Sequence, residues 1–233
     1  MNQSDILKKK KAQELGKMAW ALKNQCQYDH ALEYMNQSRE IFREIDDRQG
    51  EANQIGNIGW VYLEKKEFDK ALEHMYESLK MQEKIGIPKE IVIDLNAIGL
   101  TLRQKGELDR ALEYHEKALS ISKANNFKKE IAHELEGIGL VYGEKKNLNK
   151  TFKYLESALE INREIEDRQG EANVLANMGL YYLKFGIILE AEKCLKESRH
   201  IIDTNNLIYG RDVTQQLLDV INNIKQMQEE SSE

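Results

Sequence analysis

The fold this sequence predicts is an all-α solenoid of five helix-turn-helix repeats with a period of 40 residues, closed by a C-terminal capping helix. Three observations predict it. Gly59, Gly99, Gly139 and Gly179 stand one period apart, with Ala19 one period earlier, and Ala31, Ala71, Ala111, Thr151 and Ala191 keep the same interval. Each period holds two stretches with apolar residues at helical spacing, such as Ile55, Ile58, Gly59 and Tyr62, then Ala71, Leu72, Met75 and Leu79. One proline and 14 glycines in 233 residues leave room only for short breaks. A period held over five copies marks a repeat array, in which each unit buries its apolar face by stacking on its neighbours.

In chain order, residues 1–9 read as an N-terminal basic tail, with Lys8 to Lys11 as a solvated run. The repeats are 10–49, 50–89, 90–129, 130–169 and 170–210. Within repeats, Gly106 and Gly186 suit a helix C-terminal cap. Cys26, Lys66 and Lys146 stand at that place in other copies and imply another geometry or a little strain. Between repeats the breaks fall at Asp46-Asp47, Gly86-Ile87-Pro88, Asn125-Asn126, Glu166-Asp167 and Asn205-Asn206, with Pro88 at a helix start. The mid-helix glycines each cost about 1 kcal/mol relative to alanine. Their recurrence implies close approach to the small residues at 31, 71, 111, 151 and 191. Residues 211–233 form the capping helix, with Val213, Leu217, Val220, Ile221, Ile224 and Met227 on one face, and an acidic tail, 229–233, that frays.

Composition removes several function classes. A formal net charge of −6 provides no basic field for nucleic acid. No apolar run approaches the roughly 18 residues of a membrane span, and the first residues lack the apolar core of a secretory signal. Cys26 and Cys194 lie in different repeats without disulfide or metal spacing, so a cytoplasmic protein with reduced thiols is expected. His30, His74, His115, His133 and His200 share no metal-ligand spacing, and no phosphate loop or nucleophile elbow occurs. No catalytic residue, metal or cofactor is expected.

In this register the residues resemble the tetratricopeptide repeat family, whose unit of about 34 residues carries W/L-x2-L-G-x2-Y and then A-x3-F-x2-A. The second repeat matches with Ile55, Ile58, Gly59, Tyr62, Ala71, Met75 and Ser78, and the fourth with Leu135, Ile138, Gly139, Tyr142, Thr151, Leu155 and Ala158. The first matches more weakly, with Leu15, Met18, Ala19 and Leu22. The longer period resembles the long-helix subclass of spindle-orientation adaptors and bacterial Rap-type peptide receptors. The segment REIDDRQGEAN (43–53) returns as REIEDRQGEAN (163–173), which points to repeat duplication.

The resemblance implies a right-handed solenoid whose first helices line a concave, ligand-binding groove. Counted from each repeat's glycine, the candidate peptide-binding residues are Asn53, Asn57, Trp60, Asn96, Leu100, Arg103, His133, Leu140, Asn173, Asn177 and Leu180. Asparagine pairs with both the C=O and the N–H of a bound backbone. An apolar stripe runs beside it from Trp20 to Leu180, and small residues at 16, 56, 97, 137 and 176 leave the floor open. In the other reading, Trp60 and Leu100 pack between repeats and the asparagines only solvate or cap helices. Lysine and arginine near these positions are limited to Lys17, Lys23 and Arg103, so a dicarboxylate clamp is not expected. The function expected is a non-enzymatic adaptor binding a peptide segment of another protein, with neither nucleic acid nor membrane as partner. The alternatives are a regulatory receptor for a short peptide or small ligand, and a scaffold that forms homodimers through the array ends.

Overall fold

The computed structural model describes residues 3–207 and 210–230, and among them it contains eleven α-helices and no strand. The chain divides into two compact units, Met1–Asn125 and Asn126–Glu233. In the first, α1 (Gln3–Asn24) packs on α2 (Tyr28–Glu44), α3 (Arg48–Glu64) on α4 (Phe68–Ile85) and α5 (Pro88–Lys105) on α6 (Leu108–Ala124), each pair leaning on the next. In the second, α7 (Lys128–Glu144) packs on α8 (Leu148–Glu164) and α9 (Arg168–Lys184) on α10 (Ile188–Thr204). The last helix, α11 (Arg211–Glu230), lies against α10 and α9. Among the described residues no helix is long and apolar enough to cross a membrane.

The turns share one geometry. Residues 26, 46, 66, 86, 106, 126, 146, 166, 186 and 206, spaced every 20, all have positive φ, from 51° at Asn206 to 88° at Gly106. In the turns within pairs the same two hydrogen bonds recur. Lys66 N–H donates to Leu63 O at 2.9 Å and Glu67 N–H to Tyr62 O at 2.9 Å, as Gly186 does to Leu183 and Ile187 to Tyr182. These are Schellman bonds, which occupy carbonyls the helix end leaves open. Cys26, Lys66 and Lys146 therefore adopt the glycine geometry, and the strain expected of them is the left-handed backbone of a side-chain-bearing residue.

The recurrent glycines do mark close approach, but mainly to a side chain. A Cβ on Gly179 would stand 2.5 Å from Leu195 Cγ and 3.2 Å from Ala191 O. The residue sixteen positions on from the glycine, Met75 or Leu195, is fully buried in that space. Each such side chain contributes about 1.5–3 kcal/mol through burial.

A second recurrent link ties the two helices within a pair. Ser38 Oγ donates to Ala12 O at 2.7 Å, Ser78 to Ala52 O at 3.0 Å and Ser198 to Ala172 O at 2.8 Å. Only Ser78 also meets a carboxyl, Asp94 Oδ2 at 2.8 Å. Burial pushes that carboxyl up to about 7, against the pull of the Ser78 hydroxyl. A neutral Asp94 donates to Ser78 Oγ and frees the hydroxyl hydrogen for Ala52. An ionised one competes with Ala52 for it.

Both chain ends differ from the sequence expectation. Residues 3–9 are not a tail but the first turns of α1; Met1 and Asn2 lie outside the described residues. Lys8 pairs with Glu44 at 3.0 Å and Lys9 with Asp47 at 2.6 Å. Exactly the same residue types pair three periods later, Lys128 with Glu164 at 2.5 Å and Lys129 with Asp167 at 2.7 Å. The lysine run is thus a repeat element, shaped by the ion pairs it makes. At the other end α11 reaches Glu230, and residues 231–233 of the expected frayed tail, like 208 and 209, lie outside the described residues. Its apolar residues divide between two faces. Ile221 is fully buried, whereas Val213, Val220 and Met227 are exposed.

Candidate binding pocket on the first helices

The structure gathers one part of the sequence-predicted groove into a pocket of about 720 Å³ in the first unit. Helix α1 contributes Lys9, Gln13, Gly16, Lys17 and Trp20. Helix α3 faces them with Gln49, Gly50, Asn53, Gln54 and Asn57, and Phe42 and Asp47 complete the wall. Helical spacing explains the arrangement: positions 13, 16, 17 and 20 share one face of α1, and 49, 53, 54 and 57 share one face of α3. Asn53 and Asn57, both predicted site residues, lie here together.

The asparagines are not equivalent. Asn53 Oδ1 accepts from Gln82 Nε2 at 2.7 Å, so its acceptor is engaged. Asn57 has no side-chain hydrogen bond among the described residues. In the second unit, Asn173 Oδ1 accepts from Gln169 at 2.8 Å, and Asn177 Nδ2 donates to Glu136 Oε1 at 2.7 Å. Trp60, Asn96, Leu100 and Arg103 are half-buried in the first unit, as are Leu140 and Leu180 in the second. The Leu140 carbonyl accepts from the Tyr181 hydroxyl at 3.1 Å. His133 is exposed; its imidazolium is disfavoured by the surrounding protein and by Lys129, which lowers its pKa. Among the described residues no cluster of three or more His, Cys, Asp or Glu is placed to hold a metal ion.

Pocket electrostatics follow from two lysines and one carboxylate. Burial pushes Asp47 up, but Lys9 and the Gly50 N–H at 2.9 Å outweigh it and hold the carboxyl below its usual range. Lys17 has no ion pair among the described residues. Lys23 lies 4.7 Å from the Trp20 ring centroid, a cation–π contact, and pairs with Glu64 at 3.2 Å.

Sequence reasoning missed Gln54. It is 8% exposed, and its Oε1 has no hydrogen-bond partner. The available signal was positional: residues 54, 94 and 134 fall at one register of the first helices, and there Gln54, Asp94 and Glu134 are all buried polar residues.

Residues 13–84 and 130–201 match a family model described as tetratricopeptide repeat, and residues 95–125 match another of the same description. No curated protein matches the chain. Several solved structures are similar in fold. Aspartyl phosphate phosphatase F from Bacillus subtilis superposes with a TM-score of 0.70 at 14% identity, over 94% of this chain and 61% of that one. A Rap protein complexed with competence and sporulation factor gives 0.69 at 16% identity, over 95% of this chain and 66% of that one. Kinesin light chain-like repeats of Podosopora anserina give 0.66 at 14% identity, over 88% of this chain and 99% of that one. The chain thus spans less than two thirds of the length of the phosphatase.

Proposed function

The chain belongs to the tetratricopeptide repeat family, and from that premise we propose that it is a non-enzymatic interaction module binding a peptide segment of another protein. The observation that carries this reading is the open, carboxamide-lined pocket between α1 and α3. Asn57, with no side-chain bond of its own, offers both a donor and an acceptor to a bound backbone. Trp20, 39% exposed, offers an apolar surface worth roughly 25 cal/mol per Å² that a ligand side chain covers. Together they fit a peptide with an apolar anchor and a hydrogen-bonded main chain.

The test is selection from a random peptide display library, followed by calorimetry on a selected peptide. Asn57→Ala and Trp20→Ala are each expected to weaken that peptide by about fivefold or more. Asn177→Ala, which breaks an internal bond instead, is expected to leave affinity within about twofold. Failure to select any peptide, or a peptide indifferent to both pocket substitutions, overturns the reading.

A further inference from the structure

Helix α11 keeps the register of the first helices: Thr214 and Ile221 are buried, as Val174 and Tyr181 are one period earlier. The groove positions change character there. Asn173 and Asn177 become Val213 and Leu217, and Val220 follows Leu180. Val213, Leu217, Val220, Ile224 and Met227 recur alternately four and three residues apart, the heptad spacing by which one helix packs along another. Val213 is 59% exposed, Val220 45% and Met227 70%, while Leu217 and Ile224 are half-buried beside them. An extended peptide laid along this seam meets aliphatic groups that leave its main chain unpaired, whereas a helix brings its backbone bonds already made. We propose that the seam pairs α11 with α11 of a second copy, antiparallel, about a two-fold axis near Val220.

Charge argues for a copy of the same helix. Gln216 and Asn223 flank the seam and are uncharged, so like meets like without repulsion. Arg211 and Lys225 are answered within the unit, by Asp203 at 2.9 Å and Glu192 at 2.5 Å. A strongly basic or acidic partner helix therefore finds no complement along this face. Charge also sets direction. The antiparallel arrangement puts Val213 against Met227 and Leu217 against Ile224, and brings the exposed Glu230 beside Arg211 of the second copy. A parallel pair would set Glu230 against Glu230 with the helix dipoles aligned. A single helix pair buries an area at the low end of specific interfaces, below about 1,200 Å², so the dimer is weak.

Sedimentation equilibrium of the full chain tests the pairing. The mass is expected to rise from monomer to dimer with a dissociation constant of about 10–100 µM. Val220→Asp, at an exposed position, is expected to weaken the dimer about tenfold or more and to leave the melting temperature nearly unchanged. Direction is read by cross-linking in a Cys26→Ser background, since Cys26 is exposed and Cys194 buried. Val220→Cys is expected to link to itself, and Val213→Cys to link to Met227→Cys in a mixture of the two variants. A chain that stays monomeric at about 1 mM, or a dimer indifferent to Val220→Asp, overturns the proposal. So does preferential linking of Val213→Cys to itself. Library peptides whose binding is lost in Val220→Asp and kept in Asn57→Ala would give the seam to a helix of another protein, and overturn self-pairing too.

Discussion

The corner between α1 and α3 and the corner between α7 and α9 are built from the same register, 120 residues apart, yet one is open and the other closed by its own side chains. Gly16, Lys17 and Gln54 in the first become Glu136, Gly137 and Val174 in the second. Glu136 occupies the amide of Asn177 at 2.7 Å, while Asn57 keeps its amide free of side-chain bonds. Tyr181 replaces Val61 and lies against Gly143, where the first corner has Lys23 over Trp20. The two frames share a register, and a few differences at their facing edges leave a pocket in one and a brace in the other.

The largest expected effect comes from breaking the brace. A Cβ on Gly143 would stand 2.2 Å from Tyr181 Cε1, and Tyr181 is 2% exposed. Gly143→Ala is therefore expected to cost about 2–3 kcal/mol by overpacking, read from urea unfolding. Lys23→Ala, at the same register in the first unit, should stay within about 1 kcal/mol; a similar loss in both would dissolve the contrast.

Proton linkage separates the units next. Asp94 is raised from 3.8 to about 7, so between about pH 4 and 7 the folded chain keeps a proton that the unfolded chain releases. Its contribution is present in acid and lost as pH rises through 7. Asp94→Asn is expected to be about 2 kcal/mol more stable than wild type at pH 8, with the gain vanishing near pH 4. A constant difference across that range would show that folding does not raise the carboxyl's pKa. Glu171 has the opposite sign: burial raises it, but Arg163 and Arg168, each at 2.8 Å, outweigh that and lower its pKa. Glu171→Gln is expected to lose about 0.5–1 kcal/mol at pH 7, after screening at the half-exposed arginines, and the loss is expected to shrink as acid protonates the folded carboxyl.

Exchanging the edges sharpens the comparison directly. Gly16→Glu with Gln54→Val gives the first corner the residues of the second. A selected peptide should bind about tenfold more weakly, or about 1.4 kcal/mol, with the melting temperature little changed. Retained affinity would place the peptide elsewhere. The smallest effect is expected of Lys8→Ala, whose partner Glu44 is well exposed: about 0–0.5 kcal/mol by thermal unfolding.

The frame was legible because its signals are local and repeated. Helical spacing, the glycines at 59, 99, 139 and 179, and the turn residues each announce themselves within one period. The pocket was half legible, since the same counting found Gly16, Lys17, Trp20, Asn53 and Asn57 but treated Asn57 and Asn177 as equals. What separates those two is the residue across the corner, Gly16 or Glu136, and adjacency between helices is invisible until the pairs are stacked. Gln54 escaped because a polar residue among apolar ones reads as a helix surface position. Its burial depends on the neighbouring helix carrying a glycine there.

One feature of the turns reaches further. A left-handed residue every 20 positions closes each helix from α1 to α10, whatever side chain it bears. Two such residues 40 apart are interchangeable joints, so excising the span between them rejoins matching ends, while removing a few residues more or fewer does not. The chain is consequently editable in whole modules. Lineages of such proteins can lengthen or shorten by recombination at these joints, with ancestry recorded in spacing even where identity has faded.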